Sequence, residues 1–66
     1  MEEKILEYLA KFPGSRRRYI ASALRTWVCD KDLILLMYKM ESEGKIYRTS
    51  FSDPANMLYY DKWYIA

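Results

Sequence analysis

The sequence of 66 residues has no histidine and one cysteine, Cys29. A single cysteine forms no disulfide within the chain, and without histidine it cannot complete a common cysteine–histidine zinc site. The usual general base is missing too, and the two glycines do not form a phosphate-binding loop. We therefore expect no enzymatic activity, no metal or cofactor and no small-molecule substrate. Cys29 is expected to be a small buried hydrophobic residue.

Long apolar stretches are absent as well. No segment approaches the roughly 20 apolar residues of a membrane span, and the acidic start (MEEK) is unlike a secretory signal. We expect no membrane contact and a cytoplasmic location. With 52% hydrophobic and 30% charged residues the chain is of globular type, and residues 1–66 leave room for a single domain. Such a core rarely contributes more than about 3–5 kcal/mol, so self-association stays open.

Positive charge is concentrated in one part of the chain. Residues 11–29 contain five basic residues and no acid, whereas the remaining residues carry six basic and nine acidic side chains. The basic residues of this segment are Lys11, Arg16, Arg17, Arg18 and Arg25. The net charge of +2 therefore hides a local basic region that is able to bind an anionic partner.

Apolar spacing predicts helix 1 over residues 2–12 and helix 2 over residues 15–24. The apolar face of helix 1 consists of Ile5, Leu6, Leu9 and Phe12, and Pro13 with Gly14 ends the helix. Ser15 is expected to cap helix 2 at its N-terminus. The inner face of helix 2 is expected to be Ile20, Ala23 and Leu24, with Arg18, Ser22 and Arg25 opposite and Arg17 and Ala21 flanking them.

Helix 3 is predicted over residues 31–43. Asp30 is a suitable N-cap, and Gly44 supplies the residue that can turn left-handed after the helix. The expected core positions are Leu33, Leu36, Met37 and Met40. Beyond Gly44, residues 45–51 and 58–66 are rich in β-forming residues and flank a loop-type segment, which predicts a closing β-hairpin and an α+β fold.

This order resembles the winged helix-turn-helix superfamily over nearly the whole chain. The most specific match is residues 40–48 (MESEGKIYR), which looks like the end of the recognition helix and the start of the first wing strand. Ile20-Ala21 and Trp63-Tyr64-Ile65 match further family positions in helix 2 and in the last strand. Two features depart from the family. The turn at residues 25–28 (RTWV) lacks the usual glycine, and the short strand between helices 1 and 2 cannot be identified.

The resemblance implies double-stranded DNA as partner, with helix 2 and the wing on phosphates and helix 3 in the major groove. The residues expected to contact DNA are Ser15, Arg16, Arg17, Arg18, Arg25, Lys31, Lys39, Arg48 and Lys62, with Lys45 as a further wing contact. Three consecutive arginines at the start of a helix oppose its dipole, which favours an external role for the charge. The alternative is a solvated surface that keeps the protein soluble.

Helix 3 indicates a different kind of partner. Its outer face is expected to present Lys31, Leu35, Tyr38 and Ser42, with Ile34 and Lys39 beside them, and it contains no arginine, asparagine or glutamine to read bases. Ile34, Leu35 and Tyr38 are therefore candidates for self-association or for binding a protein, unless the wing or helix 1 covers them. A chain that folds only as a homodimer is a related hypothesis.

Aromatic residues are abundant in the predicted hairpin. Two interpretations remain open, because such rings form ordinary cross-strand pairs and also stack on unpaired bases in single-strand binders. The candidates for base stacking are Tyr59, Tyr60 and Tyr64. The sequence thus predicts a small DNA-binding regulator of winged-helix type, with a protein-interaction or dimerisation module as the alternative.

Overall fold

The computed structural model describes all 66 residues as three helices followed by an antiparallel β-hairpin. The helices are α1 (Glu2–Lys11), α2 (Arg17–Ala23) and α3 (Lys31–Ser42), and the strands are β1 (Ile46–Asp53) and β2 (Leu58–Ile65). The predicted α+β class and the predicted order of elements are therefore confirmed. None of the helices has the length and hydropathy needed to cross a membrane.

The core lies where the three helices meet the base of the hairpin. It consists of nine buried residues, none of them polar: Ile5, Leu9, Ile20, Ala21, Leu33, Met37, Met40, Ile46 and Trp63. Helix α3 contributes three of these at the predicted helical spacing, whereas Leu36 is only partly buried. Because an indole ring buries a large apolar area, Trp63 ties the hairpin to the helices.

Both ends of α3 confirm the sequence prediction. The Asp30 carboxylate accepts from the backbone N–H groups of Asp32 at 2.9 Å and Leu33 at 3.4 Å, so it caps the helix. A hydrogen bond from the Thr26 hydroxyl is the main reason that the pKa of Asp30 is lowered, and the two backbone donors act in the same direction. Beyond the helix, Gly44 has φ +77°, the left-handed conformation expected of it.

Helix α1 ends one residue earlier than predicted, and Phe12 does not join the core. It lies beyond the helix with φ −130° and is 56% exposed. Its ring packs instead on Tyr8, with the two centroids 5.0 Å apart. The assignment of Phe12 to the core was wrong because Pro13 forces the preceding residue out of helical geometry and thereby turns its side chain off the apolar face.

Helix α2 is shorter than predicted, and its inner face is rotated. It spans Arg17–Ala23, with Arg16 rather than Ser15 at the N-cap position and no side-chain cap. Ala21 is buried and Ala23 is exposed, the reverse of the expectation. Small alanines carry little directional information, so periodicity alone does not fix the rotation of a two-turn helix. Cys29, expected in the interior, is exposed in the α2–α3 turn.

The first strand of the hairpin, β1, extends further than the sequence predicted. β1 continues to Asp53 because Ser52 pairs with Tyr59 and Asp53 pairs with Leu58. In the turn, the Asn56 amide donates to the Asp53 carboxylate at 2.8 Å.

In the connection between α2 and α3, the backbone of Arg25 has φ +56°. An arginine thus adopts a left-handed conformation that glycine adopts more readily.

Candidate functional site

A single bridging residue places the arginines of α2 beside the hairpin. The Gly14 N–H donates to the Trp63 carbonyl, the Trp63 N–H donates to the Ser15 carbonyl, and both distances are 2.9 Å. The bridge lies between α1 and α2 and involves a single residue of that segment, so the sequence shows no alternation there. Gly14 has φ +79°, and a Cβ there would lie 3.1 Å from the Tyr64 hydroxyl oxygen, so the turn favours glycine.

Arg16, Arg17 and Arg18 line an open cleft of about 250 Å³ between the start of α2 and strand β2. We call it the arginine cleft; its other lining residues are Val28, Tyr59, Tyr60, Asp61 and Trp63. Sequence reasoning found the three arginines as a group. It did not find the opposite wall, because only the bridge at Ser15 brings residues 59–63 alongside them.

The three arginines of the cleft form no salt bridge within the chain. All four salt bridges of the protein involve Lys45 or Arg48, and none involves an arginine of the cleft. The Arg16 guanidinium lies over the Tyr60 ring, 4.0 Å from its centroid. The Nε of Arg17 is buried without an acceptor, and Arg18 is exposed. Three guanidinium groups therefore remain available to an anionic ligand.

The basic residues at the base of the hairpin, in contrast, form salt bridges with carboxylates. Arg48 pairs with Glu41 at 3.1 Å and with Asp61 at 3.4 Å, and Lys45 pairs with Glu2 and with Glu43. The Glu2 carboxylate, which hydrogen-bonds the Lys45 ammonium, raises the pKa of Lys45, and the same bond lowers the pKa of Glu2. Two residues predicted as wing contacts are thus already bound to carboxylates.

Lys62 is the one predicted wing cation that is near the cleft and has no carboxylate partner. Its ammonium lies 4.9 Å from the centroid of the Phe51 ring. Phe51 stacks on Tyr60 with centroids 4.8 Å apart, and Arg16 lies on Tyr60. Arg16 and Lys62 therefore share one aromatic pair at the edge of the arginine cleft.

The other predicted DNA contacts lie outside the cleft lining. Arg25, Lys31 and Lys39 are exposed and have no salt bridge. Ser15 is partly buried, and its hydroxyl donates to the Phe12 carbonyl rather than pointing to an unoccupied surface. The structure thus brings together Arg16, Arg17 and Arg18, with Lys62 nearby, and leaves the remaining cations dispersed.

The outer face of α3 is not covered by the rest of the chain at its two central positions. Leu35 is 65% exposed and Tyr38 is 45% exposed, whereas Ile34 is partly buried. The interpretation that the hairpin or α1 covers Leu35 and Tyr38 was therefore wrong. The Arg48 guanidinium lies 5.6 Å from the Tyr38 ring centroid and also pairs with Asp61 of the cleft. The apolar face and the arginine cleft are consequently neighbours, with Arg48 between them.

The acidic and thiol side chains are not grouped as metal ligands. No three of them are grouped in a way that could hold a metal ion.

No model of a known protein family, no curated protein and no solved structure matches the chain significantly. The candidate site therefore rests on its own geometry.

Proposed function

We propose that this chain is a winged helix-turn-helix protein that binds duplex DNA through the arginine cleft. In this proposal α2 and α3 form the helix-turn-helix and the hairpin is the wing. The observation that carries the proposal is that Arg16, Arg17 and Arg18 stand together beside β2 without any carboxylate partner.

The chemistry of the arginine group favours a phosphate backbone. Arginine presents a planar fork of N–H donors that fits two oxygens of one phosphate, and each neutralised phosphate releases condensed counterions from DNA. Lys62 adds a cation from the wing. Lys45 and Arg48 contribute less to this role than the family resemblance implies, because a phosphate would have to displace the carboxylates that hold them.

Sequence reading by α3 is expected to be weak. The helix has no arginine, asparagine or glutamine, so it lacks the side chains that make paired hydrogen bonds to base edges. Leu35 is able to touch thymine methyl groups, and Lys31 and Lys39 are exposed for phosphate contacts. We therefore expect affinity that depends strongly on salt and little on DNA sequence.

The test compares two double charge reversals by fluorescence anisotropy with a blunt duplex at low salt. Arg17→Glu with Arg18→Glu should weaken binding by about 100-fold and reduce the slope of log K against log salt by about 2. Lys4→Glu with Lys11→Glu changes the net charge equally in a separate groove beside α1 and is the matched control. Equal losses in the two variants, or no binding by the wild type, would overturn the proposal.

A second candidate function is a protein-interaction or dimerisation module that does not read DNA. The exposure of Leu35 and Tyr38 favours it, because large apolar side chains grouped on one helix face are typical of interfaces. Ile34, partly buried beside them, would form the edge of the contact.

Sedimentation velocity tests this second candidate directly. A dimer is expected to dissociate in Leu35→Glu, whereas Lys31→Glu on the same face serves as a charge control. A wild-type monomer at all concentrations would exclude self-association. A melting temperature independent of protein concentration would exclude a chain that folds only as a homodimer.

A further inference from the structure

The arginine cleft contains an aromatic ring that has no partner within the protein. The other aromatic rings of the hairpin's outer surface are paired: Tyr47 stacks on Tyr64 at 5.3 Å, and Phe51 stacks on Tyr60 at 4.8 Å. Tyr59 is in none of these pairs, is 66% exposed and lines the cleft. Cross-strand stacking therefore explains the other hairpin rings but leaves Tyr59 unexplained.

The walls of the cleft differ in charge and chemistry. The arginines stand on the side of α2, whereas Tyr59 and Asp61 stand on the side of β2. A phosphate is attracted to the first wall and repelled from the carboxylate of the second. A nucleobase fits the second wall, because it offers a flat face to the Tyr59 ring and N–H donors to the carboxylate.

Only an unpaired base can make this contact. Inside a duplex both faces of each base are covered by its neighbours in the stack, and at a blunt end the Watson–Crick edge of the last base is still paired. A base in a single-stranded segment can turn one face to a protein ring and its N–H donors to a carboxylate. A nucleotide also carries its phosphate next to its base, which matches the adjacent arrangement of Arg17, Arg18 and Tyr59 around one cleft of about 250 Å³.

We infer that the arginine cleft binds one unpaired nucleotide at a single-stranded end or gap of DNA, with its phosphate on Arg17 and Arg18 and its base stacked on Tyr59. This inference rests on the proposed DNA binding and adds a preference for DNA in which duplex and single strand meet. Tyr60 does not share the stacking role, because Arg16 and Phe51 already occupy its ring.

The experiment measures anisotropy with a blunt duplex and with a duplex of the same phosphate count that ends in a single-stranded overhang. The overhang substrate is expected to bind about tenfold more tightly, since stacking of one base on an aromatic ring is worth roughly that factor. Tyr59→Ala should abolish this preference, so that the variant binds the two substrates with equal affinity. Tyr59→Phe should retain the preference, because it keeps the ring.

Two controls separate stacking from a structural effect. Phe12→Ala removes another exposed ring, outside the cleft lining, and should keep the overhang preference. A 2-aminopurine in the overhang should lose fluorescence on binding to the wild type and to Tyr59→Phe but not to Tyr59→Ala. Circular dichroism should show that Tyr59→Ala remains folded, since most of this side chain is exposed.

The outcomes distinguish this inference from the proposed function. Equal affinity for blunt and overhang duplexes, or an overhang preference that survives Tyr59→Ala, would overturn the inference and leave the proposed duplex binding in place. A loss of overhang preference in Phe12→Ala would also overturn it. Failure of the wild type to bind any of these DNAs would overturn both.

Discussion

The base of the hairpin and the arginine cleft use positive charge in opposite ways. At the base, Lys45 and Arg48 each pair with two carboxylates, and these contacts join the hairpin to α1 and α3. In the cleft, Arg16, Arg17 and Arg18 have no carboxylate partner. Basic residues in one small domain therefore divide into a set that holds the fold together and a set that is available to a ligand. The number and spacing of the basic residues in the sequence do not show which residue belongs to which set.

Trp63 contacts both regions, so its removal should lower the free energy of unfolding more than any other change considered below. It is buried, lines the arginine cleft and lies 5.5 Å from the Arg48 guanidinium carbon. Trp63→Ala is expected to cost about 3–5 kcal/mol of unfolding free energy, comparable with the total for a core of this size. Urea titration followed by circular dichroism should find it largely unfolded. Ile46→Val, expected to cost about 1 kcal/mol, is the milder core control; a folded Trp63→Ala would contradict the role given to Trp63.

Substitutions of one arginine in each region should separate stability from binding. Arg48→Met breaks two ion pairs and is expected to lower the unfolding free energy by about 1 kcal/mol. Its effect on DNA affinity should be small. Arg18→Met, at an exposed position, should leave stability within about 0.5 kcal/mol and weaken DNA binding about fivefold at low salt.

Urea melts and anisotropy on the same two proteins provide the measurement. If Arg48→Met weakens DNA binding as much as Arg18→Met does, the division between structural and available cations fails. If Arg18→Met is the more destabilising of the two, the cleft also has an unrecognised structural contact.

Asp61 is the residue at which the two regions meet, because it lines the cleft and pairs with Arg48. Asp61→Asn removes a negative charge from the cleft and should strengthen binding to blunt duplex about threefold at low salt. Stability should fall slightly, because Arg48 retains only Glu41. Ser50→Ala removes a weak contact to the same carboxylate at 3.4 Å without changing charge and is the control. Weaker duplex binding by Asp61→Asn would indicate that the carboxylate itself helps to bind DNA.

Acid should weaken an ion pair at the base of the hairpin. The pKa of Glu2 is lowered, chiefly by its hydrogen bond with Lys45, so the stabilisation is present above the ordinary glutamate pKa and is lost as pH falls through the lowered value. Below about pH 4.5 the Asp30 cap weakens in both the wild type and Glu2→Gln, but the melting temperature should fall by roughly 2 °C more in the wild type than in Glu2→Gln. Glu3→Gln is the neighbouring control, and an identical acid response in Glu2→Gln would contradict the role of this pair.

The sequence determined most of α3 and its ends by itself. Asp30 and Gly44 were predicted correctly because cap and left-handed positions depend on local backbone geometry that few residue types satisfy. Leu33, Met37 and Met40 were predicted correctly because a helix of three turns repeats its apolar pattern often enough to fix a face. The three-arginine group and the apolar outer face of α3 were likewise visible as local patterns.

Only the tertiary structure decided what those patterns do. The bridge between Ser15 and Trp63, which brings the arginines beside Tyr59, joins residues far apart in sequence and has no periodic signal. The pairing of Arg48 with Glu41 and Asp61 also depends on how the hairpin packs on α3. Local order can be predicted from the sequence because its energetics lie within a few neighbouring residues. Which cations are neutralised, and which ring is left without a partner, depends on distances that exist only after the chain has folded.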